Sequence, residues 1–239
     1  MTGVDGESLR DIDLVRIEMG VIWRLDARGR LPGPEDVVIG VASDGMTAAV
    51  SSGVADALAG RLLDIVGQSV PSPSGTPPDV LEDCRKLLGG DGVAISGGPS
   101  YLVSPPVRSG GAVAEVLRSD EPAHARLVHP LRPGNWEPEE WEELIGGGEG
   151  APWAMIVEEG QVAAICHTPR RTPLGAEAGT WTAPAYRGQG YAAATTAVWA
   201  GLLPGIHLFY STSADNHSSQ RVAGRLGLRP LGWFWKLTI

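Results

Sequence analysis

The chain has 239 residues, 43% of them hydrophobic and 20% charged, enough for one large domain or two small ones. A net charge of −9 argues against broad non-specific binding to nucleic acid, and the two cysteines, Cys84 and Cys166, form neither a disulfide framework nor a metal-ligand spacing. No apolar run approaches the ~20 residues of a membrane span, and the first residues (MTGVDGESLRD) are acidic and polar, so the expectation is a cytoplasmic protein without a signal peptide.

Taken in order, Ser8 is placed to cap a first helix whose apolar face is Ile12, Val15, Met19 and Ile22. Val37–Val41 reads as a buried strand. Leu58, Leu62 and Ile65 recur at helical spacing and predict a second helix over Val54–Val66. Ser69–Pro78 (SVPSPSGTPP) is a proline- and serine-rich loop or linker. Asp79 can cap a third helix that runs to Leu88 and ends at Gly89 and Gly90. Val93–Ile95 and Ser100–Val103 read as strands on either side of Gly97-Gly98-Pro99. No catalytic pattern occurs in residues 1–111, an N-terminal α/β region expected to shape a substrate cleft or an oligomer interface.

A second region is expected from Ala112 to Ile239. Ala123–Leu131 reads as a strand, and Trp136–Ile145 as an acidic helix with Pro138 in its first turn, where a missing amide costs little. After the Gly146–Gly150 breaker, Ala154–Val157 and Val162–His167 pair as a hairpin about Glu158-Glu159-Gly160. Ile206–Thr212 is an apolar, aromatic run of the kind that forms a buried strand. A helix follows over Ala214–Leu228, capped near Asp215 or Asn216 and closed by Gly227. Trp233, Trp235 and Leu237 alternate with Phe234 and Lys236 in a closing strand.

Between these lies the most informative stretch, Glu177–Ala192 (EAGTWTAPAYRGQGYA). A short strand, Ala178–Thr182, leads through a turn at Pro184 into a glycine-bearing helix start at Tyr191. The amides of Gly188–Ala192 would project at the positive end of that helix, where an anion such as a phosphate is held. Arg187 adds a full charge, and no Asp or Glu occurs between Glu177 and Asp215. The nucleoside-triphosphate loop is excluded because no Gly-Lys-Ser/Thr follows, and the dinucleotide fingerprint because residue 193 is alanine.

Arg187-x-x-Gly190-x-Ala192 directly after a strand resembles the diphosphate-binding motif of the GNAT superfamily of N-acetyltransferases, which bind coenzyme A. Asn216 and Ser219 at the start of the later helix, with Leu226-Gly227-Leu228 at its end, fill the positions of that family's second half. The resemblance implies an α/β (α+β) fold with a mixed, largely antiparallel central sheet flanked by helices. The first hundred residues stand outside it, a degenerate copy of the same fold being one alternative for them.

The resemblance further implies acetyl-CoA as cofactor, held by Thr180, Trp181, Thr182, Arg187, Gly188, Gln189, Gly190, Tyr191, Ala192, Asn216 and Ser219. The pantetheine arm would run beside Thr180–Thr182 as an added strand would. Glu177 takes the place of the carboxylate that often accepts the amine proton, so it is the candidate general base. The family's usual acid, a tyrosine in the last helix, is replaced by Ala223. Ser219 is therefore the candidate hydroxyl near the sulfur, with Tyr210 and Tyr191 in reserve. Cys166 and His167 adjoin, but neighbours in a strand point to opposite faces, which argues against a Cys-His acyl-enzyme. The expected reaction is acetyl transfer to the amine of a small molecule by direct attack in a ternary complex. The alternatives are a non-catalytic acyl-CoA-binding regulatory module and a protein or peptide N-acetyltransferase. Neither nucleic acid nor membrane is an expected partner, no metal is expected, and a homodimer through the tryptophan-rich last strand is left open.

Overall fold

The computed structural model describes residues 9–108 and 114–239. The order of elements is α1 (Asp11–Trp23), β1 (Val37–Ala42), β2 (Gly45–Val50), α2 (Asp56–Gly67), α3 (Val80–Leu88), β3 (Ala94–Val103), β4 (Leu117–Arg118), α4 (Pro122–Val128), α5 (Pro138–Gly146), β5 (Gly150–Glu158), β6 (Gln161–Arg171), β7 (Gly175–Thr182), α6 (Tyr191–Ala200), β8 (His207–Ser211), α7 (His217–Arg225) and β9 (Arg229–Thr238). The chain forms two compact units: one up to Ser100 together with Leu231–Ile239, the other Tyr101–Pro230. Ser8 and the boundary expected at 111/112 lie outside the described residues.

In the first unit the strands run β2-β1-β9-β3. β1 is antiparallel to both neighbours, with Ile39 opposite Ala48 on one side and Trp235 on the other, and it is buried throughout, as a valine-rich central strand should be. Ile39, Val41, Leu62, Val66, Leu81 and Leu237 form one core. Ile12, Val15 and Met19 are buried along α1 as their spacing predicts; Leu14 and Val21 join them, and Ile22 is only half-buried. β2 is not evident in sequence because GMTAAV carries only two strand-favouring residues, Thr47 and Val50, among glycine, methionine and alanines. Asp79 does stand at the start of α3, but its side chain makes no capping bond.

The two strands expected about Gly97-Gly98-Pro99 are one continuous strand, β3. Glycine serves here as a spacer rather than a breaker. A Cβ on Gly97 would collide with the Phe234 carbonyl oxygen and lie 2.9 Å from Trp233 Nε1, so the side-chain-free backbone is what lets β9 approach.

In the second unit the strands run β8-β7-β6-β5-β4. β4 to β7 are antiparallel, and β7 and β8 are parallel. The β5–β6 hairpin turns through Glu159 (φ 52°) and Gly160 (φ 74°), a pair of positive φ angles suited to strand twist. Adjacent residues of β6 feed different cores, since side chains alternate between faces. Cys166 packs with Ala176, Trp199 and Ala223 in the core that includes α6 and α7, whereas Ile165 packs with Trp141, Leu144 and Trp153 in the core that includes α5. Trp199 is fully buried and its indole donates to Thr168 Oγ1 (2.9 Å), which donates in turn to the Pro152 carbonyl (3.1 Å).

Ala123–Leu131, expected as a strand, is helical: α4 followed by a 3-10 turn, His129–Leu131. Pro122 at the first helical position and the Ala, Arg and Leu that follow favour a helix, and only Val128 is buried. Among the described residues no helix is long and apolar enough to cross a membrane.

Gly97→Ala should lower the unfolding free energy by about 1–3 kcal/mol, because two backbones would have to separate to admit one methyl group. Urea denaturation of the variant beside the parent checks this, with an unchanged midpoint the contrary result.

Candidate active site

The ten residues of α6 explain how the site opens. An alanine-rich run gives a helix in which Thr195 and Thr196 return their hydroxyls to the Tyr191 and Ala192 carbonyls (3.1 and 2.7 Å), so polar residues are tolerated in a largely buried helix. Gly190 is the N-cap, at φ 86°, and no side chain caps the helix. Gly188 is at φ 82°, with nothing within 4 Å of where a Cβ would stand. Two residues in the left-handed region, both glycine, thus turn the first amides of α6 towards open space, where the helix dipole also places partial positive charge. Tyr191 anchors this turn by donating its hydroxyl to Glu158 (3.0 Å).

That space is a cleft of about 820 Å³, and among the described residues no acidic one lines it. Of the residues assigned to the coenzyme from sequence, Thr180, Trp181, Thr182, Arg187, Gly188, Gly190, Tyr191, Ala192, Asn216 and Ser219 line it. Gln189 does not; it is exposed. Arg187 donates through Nε to the Thr182 carbonyl (3.3 Å), which steadies its guanidinium at the turn. Arg221 and Arg225 line the cleft as well, one helical turn apart on α7, and sequence reading missed both. The spacing i, i+4 beyond Asn216 was the available signal, since it puts both on one face of the helix. Arg225 lies so close to Gly190 that a Cβ there would come within 2.6 Å of its guanidinium carbon.

The floor of the cleft is set by how β7 and β8 pair. Their parallel ladder runs only from Gly175–His207 to Glu177–Phe209. Beyond Glu177 the strands part, while β7 stays paired to β6 as far as Thr182. The β8-side edge of Gly179–Thr182 is therefore left for another extended chain to pair with. Asn216 caps α7 by accepting from the Ser219 amide (3.1 Å), which commits its oxygen and leaves its NH₂ group. Tyr210 is buried beneath, its hydroxyl 3.4 Å from Thr180 Oγ1 and in hydrogen-bonding contact with Ser219. Burial pushes its phenol above the usual tyrosine range, the hydrogen bonds from Thr180 and Ser219 offsetting part of the rise.

A second cavity, of about 620 Å³, shares one residue, Trp181, with the cleft. Trp136 and Trp181 contribute aromatic wall, Glu139, Glu140 and Glu143 come from α5, and His167 comes from β6. His167 makes an edge-to-face contact with Trp136 (centroids 5.1 Å apart), and its Nδ1 is buried without a partner. Gly179 lets the ring approach β7 closely, since a Cβ there would come within 2.6 Å of His167 Nε2. Burial pushes the ring's pKa down to about 4, so it is neutral at physiological pH. The sequence analysis gives His167 no catalytic role, and Gly179 opposite it in the strand register is the signal that marks the position.

Glu177, the expected general base, stands apart from both cavities. Both its oxygens are engaged: Oε2 with Arg170 Nη1 (2.8 Å) and Oε1 with the Ser211 hydroxyl. It ties β7 to β6 and β8 at the last rung before they part. Cys166 is fully buried against α6, on the face opposite His167, and its thiol is pushed far up by burial.

Residues 111–229 match the family model of the acetyltransferase (GNAT) domain. Residues 111–229 are thus a GNAT acetyltransferase domain, and the protein is an acyltransferase. The fold is similar to that of a GCN5-related N-acetyltransferase from Kribbella flavida (16% identity, 94% of this chain and 95% of that one, TM-score 0.49). It is also similar to an acetyltransferase of the GNAT family from Colwellia psychrerythraea (12%, 90% and 79%, 0.48) and to one described as a putative acetyltransferase from Novosphingobium aromaticivorans (22%, 82% and 84%, 0.44). No curated protein matches the chain.

Glu177→Gln should cost stability, about 1–3 kcal/mol for a lost charged hydrogen bond, while acyl transfer changes less than about 3-fold; loss of a general base would cost about 10²–10⁴. Parallel melting and turnover measurements separate the two. In an NMR titration the His167 ring should take its proton near pH 4. The unfolded chain takes that proton near 6.5, so unfolding should become easier as pH falls from about 6.5 towards 4, and His167→Gln should flatten that part of the slope.

Proposed function

We propose that this protein transfers an acetyl group from acetyl-CoA to an amine of a small molecule, with donor and acceptor bound together. The observation that carries the reading is the meeting of two cavities at Trp181, one lined by arginines and unclaimed helix amides, the other by carboxylates and a neutral histidine. The chemistry of the first cavity fits the coenzyme. A diphosphate needs clustered donors and positive charge, which the amides after Gly188 and Gly190 and the guanidinium groups of Arg187, Arg221 and Arg225 supply. A pantetheine arm carries amides of its own, and the open edge of Gly179–Thr182 offers them main-chain partners. Acetyl-CoA would bring the activated thioester; everything else falls to the chain.

Three tasks remain: to orient the amine, to accept its proton, and to return a proton to sulfur as the carbon–sulfur bond breaks. Trp181 borders both cavities and so stands where donor and acceptor meet. His167 is the imidazole in the acceptor pocket that could take this proton, its basicity reduced by the burial that lowers its pKa to about 4. On the donor side, Ser219 presents a hydroxyl to the cleft with Tyr210 behind it, kept protonated by burial and so able to resupply the proton. Direct attack is favoured over an acyl-enzyme because neither cysteine supplies a thiolate: burial pushes Cys84 up to about 11, and Cys166 higher still. The acceptor cavity, about 620 Å³, is of the size that encloses a small molecule.

Arg225→Glu should weaken acetyl-CoA binding about 10- to 100-fold, the worth of one charge-assisted phosphate contact, with a smaller effect on turnover at saturating donor. Calorimetry with acetyl-CoA measures the first and thiol release the second; undiminished affinity would remove the coenzyme from this cleft.

A further inference from the structure

We propose that Trp136 is a positioning residue for His167: its indole fixes the imidazole on the acceptor side of the site, a task that a hydrogen bond ordinarily performs. This rests on the acetyl-transfer reading above, in which His167 takes the amine proton, and concerns the same pocket. A histidine that handles a proton commonly has its second ring nitrogen tied to a carboxylate or a carbonyl, which fixes the tautomer and the orientation. His167 lacks that tie, since its Nδ1 is buried without a hydrogen-bond partner. Glycines border both nitrogens: a Cβ on Gly179 would come within 2.6 Å of Nε2, and one on Gly150 would lie 3.5 Å from Nδ1. Neither brings a side chain that could hold the ring. What meets it is Trp136, edge to face, with centroids 5.1 Å apart and planes at 70°.

One ring can position another only if it is itself held. The Trp136 amide donates to the Pro133 carbonyl (3.1 Å) in the turn ahead of α5, and Arg132 donates to the Trp136 carbonyl. The indole also meets Trp141 edge to face, with centroids 5.9 Å apart. Trp141 is buried, and its Nε1 donates to the His129 carbonyl (2.9 Å). A line of three rings thus runs from a hydrogen-bonded anchor on α5 to the imidazole on β6. The same indole keeps water from the ring, and burial is what lowers the ring's basicity. The charged groups that face this pocket are Glu139, Glu140 and Glu143 of α5 and Glu149 ahead of β5; among the described residues, β6 and β7 bring to it only His167, Pro169 and Trp181. Those carboxylates favour the protonated ring, so water admitted beside it would let its pKa climb.

The full chain is compared with Trp136→Leu, Trp136→Met and Trp136→Phe, each checked for folding by its melting temperature. In NMR titrations His167 should take its proton near pH 4 in the parent and in Trp136→Phe, which keeps an aromatic edge. In the Leu and Met variants the midpoint should move up towards about 6.5. Thiol release from acetyl-CoA is followed with whichever of butylamine, benzylamine and spermidine the parent acylates fastest. Trp136→Leu should lower kcat about 10-fold or more, with little change in KM for the amine, and Trp136→Phe should stay within about 3-fold of the parent. The acid limb of the kcat profile should move up with the NMR midpoint. In a His167→Gln background, adding Trp136→Leu should cost no further kcat, because the group it acts through is gone. An unmoved titration in both the Leu and Met variants, or a loss of kcat as large in the His167→Gln background as in the parent, would overturn the proposal. If His167→Gln alone leaves turnover intact, or no probe releases thiol, the proton-acceptor role loses its support, and the titration by itself decides whether the indole holds the ring.

Discussion

The parallel ladder between β7 and β8 stops at Glu177, and the site depends on that stop. A ladder continued to Thr182 would use up the edge amides and carbonyls of Gly179–Thr182, and the cleft would be an ordinary sheet interior. The last rung is tied by a carboxylate that reaches two ways, to Arg170 on β6 and to Ser211 on β8. Thr168 and Trp199 add a second tie between β6 and α6. Where pairing ends, the buried Tyr210 ring and the Thr180 and Ser219 hydroxyls occupy the space between the strands. They give the opening a polar floor, where an apolar one would repel an amide-bearing ligand.

The second constraint is an accounting of amides. The first four N–H groups of any α-helix lack internal partners, and proteins ordinarily satisfy them with a capping side chain. α7 follows that rule, with Asn216 accepting from Ser219. α6 does not: its N-cap is a glycine that offers nothing. Substituting serine or aspartate at Gly190 would cap the helix, yet φ 86° disfavours both and a Cβ would meet the Arg225 guanidinium. The two helices at this cleft thus divide the work, one closed on itself to hold Asn216 and Ser219 in place, the other left open for an anion.

Much of this was legible in sequence because local chemistry and global placement agree. Tyr191–Ala200 is a helix from end to end, the Glu158-Glu159-Gly160 hairpin turns where expected, and Asn216 caps its helix. The failures have physical reasons. Ala123–Leu131 carries an apolar rhythm compatible with a strand, but Pro122 pre-sets a helical turn. β2 has little strand propensity of its own and exists through its partner β1. Glu177 sits at a familiar point in the order of elements, yet which way its carboxylate turns depends on Arg170 and Ser211, neither of which sequence spacing brings near. Arg225 likewise reaches the cleft only because α7 packs beside the turn at Gly190.

Charge is divided sharply over a short distance. The chain carries a net −9, yet among the described residues the cleft collects three arginines and no acid, while the cavity next to it collects glutamates and neither lysine nor arginine. Charges separated by more than about 8–10 Å of salt water hardly sense one another, so opposite fields can stand side by side on one surface. Trp181, which lines both cavities, excludes water where they meet, so opposite charges on its two sides sense one another more strongly there than across solvent. A donor and an acceptor drawn into the two cavities would meet at that point. Their reactive ends would be brought together at the indole, and bringing them together is the larger part of what a direct-attack transferase has to accomplish.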